Sequence, residues 1–386
     1  MNGLRWTVTA AVPLAGLLLL WNPGEGAEGA KTVGPDAKEW NTVVDKAIHF
    51  LKTSQDAEGS WSGKRSPGVT GVVLTGLLKT GRVSPRDPVA AHALKYIESL
   101  VNTKAGHIAG KSPVVQLQNY VTCVNVMALV AAHQENKYKR VIGDAAEFLK
   151  KLQWDEGHGK SAKDDFYGGF GYDSKSRPDL SNGQFALEAL VAAGIPKDDP
   201  ALKKAMVFVT RCQNLEGEGN DQPWAGKIND GSFIYSPAGG GQSKAGGNAE
   251  SGFPGYGSMT YAGIKSMIYC GVSRDDPRIK KAYSWIQKHY SVDANPGMPR
   301  ALGEHGLYYY YNTMAKCLYT LGIDEVVDDQ HQKHDWRKDI TEALARRQRD
   351  DGSWKNDKDP TWMEGDPNLA TGFALMALSY CKPKNK

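Results

Sequence analysis

Two kinds of apolar pattern alternate along the chain. In the first, small, aromatic and aliphatic residues recur at i, i+3 and i+4, often with a glutamine at i+8. The copies are Ala47-x-x-Phe50-Leu51-x-x-x-Gln55, Ala93-x-x-Tyr96-Ile97, Ala145-x-x-Phe148-Leu149-x-x-x-Gln153, Ala205-x-x-Phe208-Val209-x-x-x-Gln213, Ala282-x-x-Trp285-Ile286 and Ile340-x-x-Ala343-Leu344-x-x-x-Gln348. This spacing gathers the apolar residues on one helical face and leaves Lys, Glu and Arg on the other, so each copy predicts an amphipathic helix. In the second pattern, segments 70–77, 122–129, 183–190, 260–267, 311–318 and 371–378 are apolar almost all round. A helix without a charged face is buried on every side. The alternation therefore predicts an all-α fold, a single α/α toroid of six helical hairpins with twelve main helices, in which six inner helices are wrapped by six amphipathic ones. The repeat occupies residues 38–381 as one domain.

The punctuation agrees with this reading. Asp87-Pro88, Asp199-Pro200 and Asp275-Asp276-Pro277 mark the starts of outer helices, and Gly81, Gly194, Gly271 and Gly322 the ends of inner ones. Three outer-to-inner connections are long, at 154–178, 214–255 and 350–367, and all should gather at one mouth of the barrel. The 214–255 segment is rich in glycine, with Trp224, Phe233, Tyr235 and Phe253 placed to dock, and is expected to act as a lid. The opposite end, closed by short turns such as Gly194-Ile195-Pro196, should leave little room for a site.

Composition narrows the class. Of 386 residues, 40% are hydrophobic and 23% charged, which suits a folded protein with a large core and excludes disorder or an integral membrane body. Lys and Arg exceed Asp and Glu by 47 to 43 without clustering, so no nucleic-acid partner is expected. Residues 1–30 read as a signal peptide and short linker: Arg5 precedes an apolar run over 8–21, too short to span a bilayer, and a small, polar stretch follows. An uncleaved anchor is the alternative. The chain is expected to be exported, periplasmic or secreted, with no membrane span in its mature form, and monomeric. Its five cysteines are odd in number and widely spaced, as buried thiols rather than a disulfide framework.

Two connections share a further signature, Gln55-Asp56-Ala57-Glu58-Gly59-Ser60-Trp61 and Gln348-Arg349-Asp350-Asp351-Gly352-Ser353-Trp354, with degraded versions at Gln153-x-x-x-Gly157 with Phe170-Gly171-Tyr172 and at Gln213-x-x-x-Gly217 with Asp230-Gly231-Ser232-Phe233. A left-handed glycine ends the helix, the amide bonds freed backbone groups and the indole covers the turn, so the element is structural and Trp61 and Trp354 should be buried. Lys46-Ala47-x-x-Phe50-Leu51-x-x-x-Gln55-x-x-x-Gly59-x-Trp61 resembles the QW motif of squalene-hopene and oxidosqualene cyclases. The six-fold helix pairing is also similar to the barrel of protein prenyltransferase β subunits. The resemblance implies a toroid with a central cavity for an apolar, isoprenoid or terpenoid-type ligand.

The chemistry of those families is not repeated. Class II cyclases protonate an alkene with a D-x-D-D acid, and the closest approach here is Asp357-x-Asp359-Pro360. No cysteine begins an inner helix to hold a prenyltransferase zinc, so neither metal nor cofactor is expected. The candidate site is the rim where the inner helices begin, carrying Gln116, Asn119, Tyr120, Asp179, Asn182, Tyr256, Tyr261, Tyr308, Tyr309 and Trp362 toward the ligand. Tyr120, Asp179, Tyr256, Tyr261, Tyr308, Tyr309 and Trp362 are the chosen ligand contacts. Glu304, His305 and Asp366 are the candidate catalytic residues, since Glu304, His305 and Tyr308 adjoin one helix start and could share a proton relay. Asp179 and Asp366 also occupy positions where helix caps belong. Three functions follow: a cyclase-like isomerase using another acid, a non-catalytic secreted binding module, or an exported glycan-active enzyme. A mouth of Tyr, Trp and aliphatics around one buried acid favours the first, a filled barrel the second, and two carboxylates facing across a polar groove the third.

Overall fold

The structure, a computed structural model, describes residues 32–110 and 117–385. The expected signal peptide and Gln116 lie outside them. The outer helices are α1 (Ala37–Ser54), α3 (Pro88–Ser99), α5 (Glu135–Leu152), α7 (Pro200–Arg211), α10 (Pro277–Lys288) and α12 (Trp336–Arg347). The inner helices are α2 (Gly68–Lys79), α4 (Gln118–Ala131), α6 (Leu180–Ala192), α9 (Gly257–Tyr269), α11 (Leu307–Leu321) and α13 (Pro367–Tyr380), and a one-turn α8 (Ala225–Ile228) lies in the longest connection. Inner helices pack in the order α2, α4, α6, α9, α11, α13 and back to α2, which closes the ring. The all-α toroid of six hairpins read from the periodicity is the fold. Two short antiparallel ribbons accompany it: β1 (Thr32–Val33) pairs with β4 (Lys384–Asn385), and β2 (Val326–Val327) with β3 (Lys333–His334).

Local chemistry sets the helix starts. Asp36, Asp199, Asp276 and Asp335 accept hydrogen bonds from first-turn amides of α1, α7, α10 and α12, and proline fills the first position of α3, α7 and α10. Each outer helix buries its apolar stripe on the inner ring, as Val44, Ala47 and Leu51 do on α1 and Ile340, Ala343 and Leu344 on α12.

The Gln-Gly-Trp turns repeat one geometry. Gln55 Nε2 donates to the carbonyls of Gly59 at 3.0 Å and Val89 at 2.9 Å, tying its own turn to the next outer helix. Gln348 makes the same pair with Gly352 and Val43, which links the last repeat to the first. Trp61 and Trp354, both fully buried, donate from Nε1 to Leu51 and Leu344 at 2.8 Å. In the degraded copies the glutamine closes on a later glycine, Gly168 in place of Gly157 in the first and, in the second, the Gly231 that precedes Phe233. Gln153 bonds Gly168 and Ala201, and Gln213 bonds Gly231 and Arg278; Gly157 and Gly217 belong to insertions looped out between. Gly59, Gly168, Gly231 and Gly352 have φ near +85° and press on the next outer helix: a Cβ on Gly168 would stand 1.9 Å from the Lys204 carbonyl, and one on Gly352 2.3 Å from that of Lys46.

The 214–255 segment carries a small core of its own. Trp224, Ile234 and Phe253 form a small second core, with Trp224 edge-on to Phe253 at 5.5 Å. Buried Arg211 reaches from α7 to Asp221 with a bidentate ion pair at 2.7 and 2.5 Å. Trp224 and Phe253, read from the sequence as residues placed to dock, thus pack on each other within the segment. All five cysteines are free thiols, four of them buried.

Candidate functional site

At the end of the ring where the inner helices begin lies a cavity of about 220 Å³, and every inner helix supplies a wall residue near its start. Val69 comes from α2, Tyr120 from α4, Ser181 from α6, Met259 from α9, Tyr309 from α11, and Leu369 and Phe373 from α13; the connections add Leu117, Tyr172, Tyr235, Tyr256 and Trp362 to Glu364. The wall is tyrosine and aliphatic, with Ser66, Ser181, Ser258 and Glu364 as its polar members besides the phenols. Tyr309 is anchored at its centre. Its hydroxyl meets Ser181 Oγ at 3.0 Å and accepts from Gln184 Nε2, while its ring lies between Phe185 and Phe373.

Glu364 is the acid at this wall, and it was passed over in the sequence. Its side chain folds back to the start of α11, where Oε1 accepts from the Tyr309 amide at 2.8 Å, and Oε2 accepts from Asn356 Nδ2 at 3.0 Å. Burial outweighs these donors and pushes the carboxyl up to about 7. It therefore exchanges its proton near neutrality, the range suited to a general acid or base. The loop presenting it is strained: Trp362 and Met363 are consecutive left-handed residues, at φ +54° and +66°. The Trp362 ring stands over this mouth, 43% exposed, with the His305 ring edge-on to it at 4.0 Å.

Of the residues chosen from the sequence, Tyr120, Tyr256, Tyr309 and Trp362 line this cavity. Tyr261 and Tyr308 do not: Tyr261 packs against Tyr310 and Tyr308 against Tyr311 in the core, because consecutive helix positions point in different directions. Asp179 caps α6 through the Asn182 amide at 2.8 Å and lies behind Tyr235, whose hydroxyl it binds; burial raises it to about 6. Asp366 caps α13 and pairs with Arg65 at 3.3 Å.

The relay of Glu304, His305 and Tyr308 is not formed. Glu304 accepts from Lys358 at 2.7 Å in a separate polar cleft, and His305 Nδ1 meets Asp359 Oδ2 at 2.6 Å. Adjacency in sequence placed these groups at one helix start, but Glu304 and His305 each have a partner of their own on the 356–364 loop, Tyr308 turns into the core, and Glu304, His305 and Asp366 are all absent from the cavity wall. Among the described residues no three His, Cys, Asp or Glu side chains converge as a metal site, and no helix is long and apolar enough to cross a membrane.

The opposite end of the ring is not closed as expected. A cavity of about 410 Å³ opens there, among the last turns of the inner helices, with Glu188 and Lys316 in its wall.

Ring closure and the buried inner helices define a closed α/α toroid. A point variant of the type II terpene cyclase MstE from Scytonema, without ligand, matches 90% of this chain and 97% of its own, with a TM-score of 0.51 at 12% identity. Ligand-free MstE itself matches 89% and 98%, with a TM-score of 0.49 at 14% identity. At this identity the likeness is one of fold. No protein-family profile and no curated protein sequence matches the chain.

Proposed function

We propose that the protein binds a short isoprenoid-type chain in the mouth cavity and that Glu364 exchanges protons with it, as a cyclase-like isomerase without a D-x-D-D acid. The observation that carries this reading is one buried, near-neutral carboxyl in a wall of tyrosine and aliphatic side chains. The alternative of a glycan-active enzyme needs two carboxylates across a polar groove, whereas among the described residues Glu364 is the one carboxylate in this wall, and buried Asp179 is bound to Tyr235.

Size and acidity sharpen the proposal. At about 220 Å³ the cavity lies below the roughly 300–1,000 Å³ of drug-sized sites, which suits a few isoprene units rather than a folded triterpene. A carboxyl near 7 is too weak an acid for an isolated alkene but well matched to a C–H activated by a neighbouring carbonyl. In such a ligand the Ser181 and Tyr309 hydroxyls would hold the oxygen while Glu364 removes and returns the γ-proton. Export through the 1–30 segment belongs to the same proposal, and the mass of the chain recovered from the periplasm or medium of an expressing cell tests it.

The test of binding is calorimetry with geraniol and with squalene; geraniol should bind and squalene should not. The test of chemistry is citral in deuterated buffer. Protein-dependent deuterium at the γ-carbon, lost in Glu364→Gln, is the expected result. Binding of citral without exchange would leave a non-catalytic carrier, and the absence of any isoprenoid binding would overturn the reading.

A further inference from the structure

The six inner helices are almost without charge, yet three charged residues within them meet at one point. Glu188 on α6, Lys265 on α9 and Lys316 on α11 are all more than nine-tenths buried. Glu188 Oε2 accepts from Lys265 Nζ at 3.1 Å, and its Oε1 pairs with Lys316 Nζ. The uniformly apolar pattern read from the sequence overlooked this triad. Its cost is high, because buried ion networks stabilise less than apolar side chains of the same volume. A structural role explains it poorly.

The triad is also unbalanced. Two amines share one carboxylate, and among the described residues each amine has that carboxylate as its hydrogen-bonding partner, though an ammonium carries three donors. Lys316 and Glu188 face the 410 Å³ cavity, whereas Lys265 is sealed behind them. The other titratable groups around that cavity are basic or phenolic side chains: Lys79, bonded to the Tyr380 hydroxyl at 3.0 Å, then His133, Tyr269 and Tyr319. Among the described residues Glu188 is its one carboxylate, and the remaining wall is aliphatic, from Leu78, Met127, Val130 and Val191.

We propose that this second cavity binds an amphipathic organic carboxylate, its head group on Lys316 and its apolar body along the aliphatic and tyrosine wall. Lys265 acts as a positioning residue that holds Glu188 from behind and leaves Lys316 shared between Glu188 and the ligand. Burial works against charge on both amines, lowering Lys265 and Lys316, and one carboxylate can balance only one of them, so the empty triad keeps one amine neutral. An incoming carboxylate restores charge balance when that amine takes up a proton from the buffer. The site is independent of the mouth cavity, which lies at the other end of the inner helices.

Calorimetry of the full chain with decanoate near pH 8, in buffers of different ionisation heat, tests this. One decanoate should bind with uptake of close to one proton, and decanol, with the same tail, should bind roughly tenfold or more weakly. Lys316→Met, which leaves a balanced Glu188–Lys265 pair, should lose both affinity and uptake, while Glu364→Gln at the mouth should change neither. Decanoate binding without proton uptake, equal affinity for decanol, or unaltered binding in Lys316→Met would each overturn the proposal. The uptake and decanol measurements need no variant and decide the matter even if Lys316→Met does not fold.

Discussion

Glu364 concentrates the tension between burial and hydrogen bonding into one carboxyl. Unfolded it titrates near 4.5 and folded near 7, so between those values the folded chain holds a proton that the unfolded chain has lost. Stability contributed by this group is therefore present at low pH and falls as pH rises through that window. Denaturant titrations at several pH values should show a shallower decline for Glu364→Gln than for the parent; parallel curves would contradict the assignment. Trp354, by contrast, is a packing residue. Truncation to Ala should cost roughly 3–5 kcal/mol, read as a lowered melting temperature, since a fully buried indole and its bond to Leu344 are lost. The sequence disclosed Trp354 because its turn is local. Glu364 stayed hidden because it acts on an amide 55 positions away, across two elements.

Among the elements, the turns were legible wherever the spacing from Gln to Gly to aromatic was intact, and misplaced where an insertion intervened. Gln153 finds Gly168 only after a looped-out segment, a distance that no local motif encodes. Gly168→Ala tests the repaired register. A left-handed alanine costs more than about 1 kcal/mol, and the Lys204 carbonyl leaves no room for its methyl; Gly157→Ala, with 3.1 Å to its nearest neighbour, should be far milder in thermal melts. The 214–255 segment calls for a different probe. Its cluster of Trp224, Ile234 and Phe253 is separate from the main core, so Trp224→Ala should speed limited proteolysis within 236–251 while leaving the main thermal transition nearly in place.

For the whole molecule, periodicity alone was enough to assign twelve helices to two layers, because a 3.6-residue pattern reports directly on which face is buried. It could not report where three isolated charges in the inner layer would meet. Glu188, Lys265 and Lys316 are 77 and 51 residues apart in the chain, and only the ring order α6, α9, α11 brings them together. The same limit applied to the mouth: four of the chosen ligand contacts reach its wall, whereas Glu304 and His305, chosen from adjacency in sequence, and Asp366, chosen as a rim acid, do not.

The ribbon of Thr32–Val33 with Lys384–Asn385 does more than tie two ends down. Together with the packing of α13 on α2 it makes the first and last repeats neighbours like any other pair, so the ring has no structurally privileged starting point. Order of synthesis and order in space are thereby uncoupled. A circular permutant in which a short linker joins residues 32 and 385, and new ends are opened in the exposed turn at 196–198, should recover the parent's helical circular dichroism and a cooperative melt. Opening the chain inside α13 should abolish both.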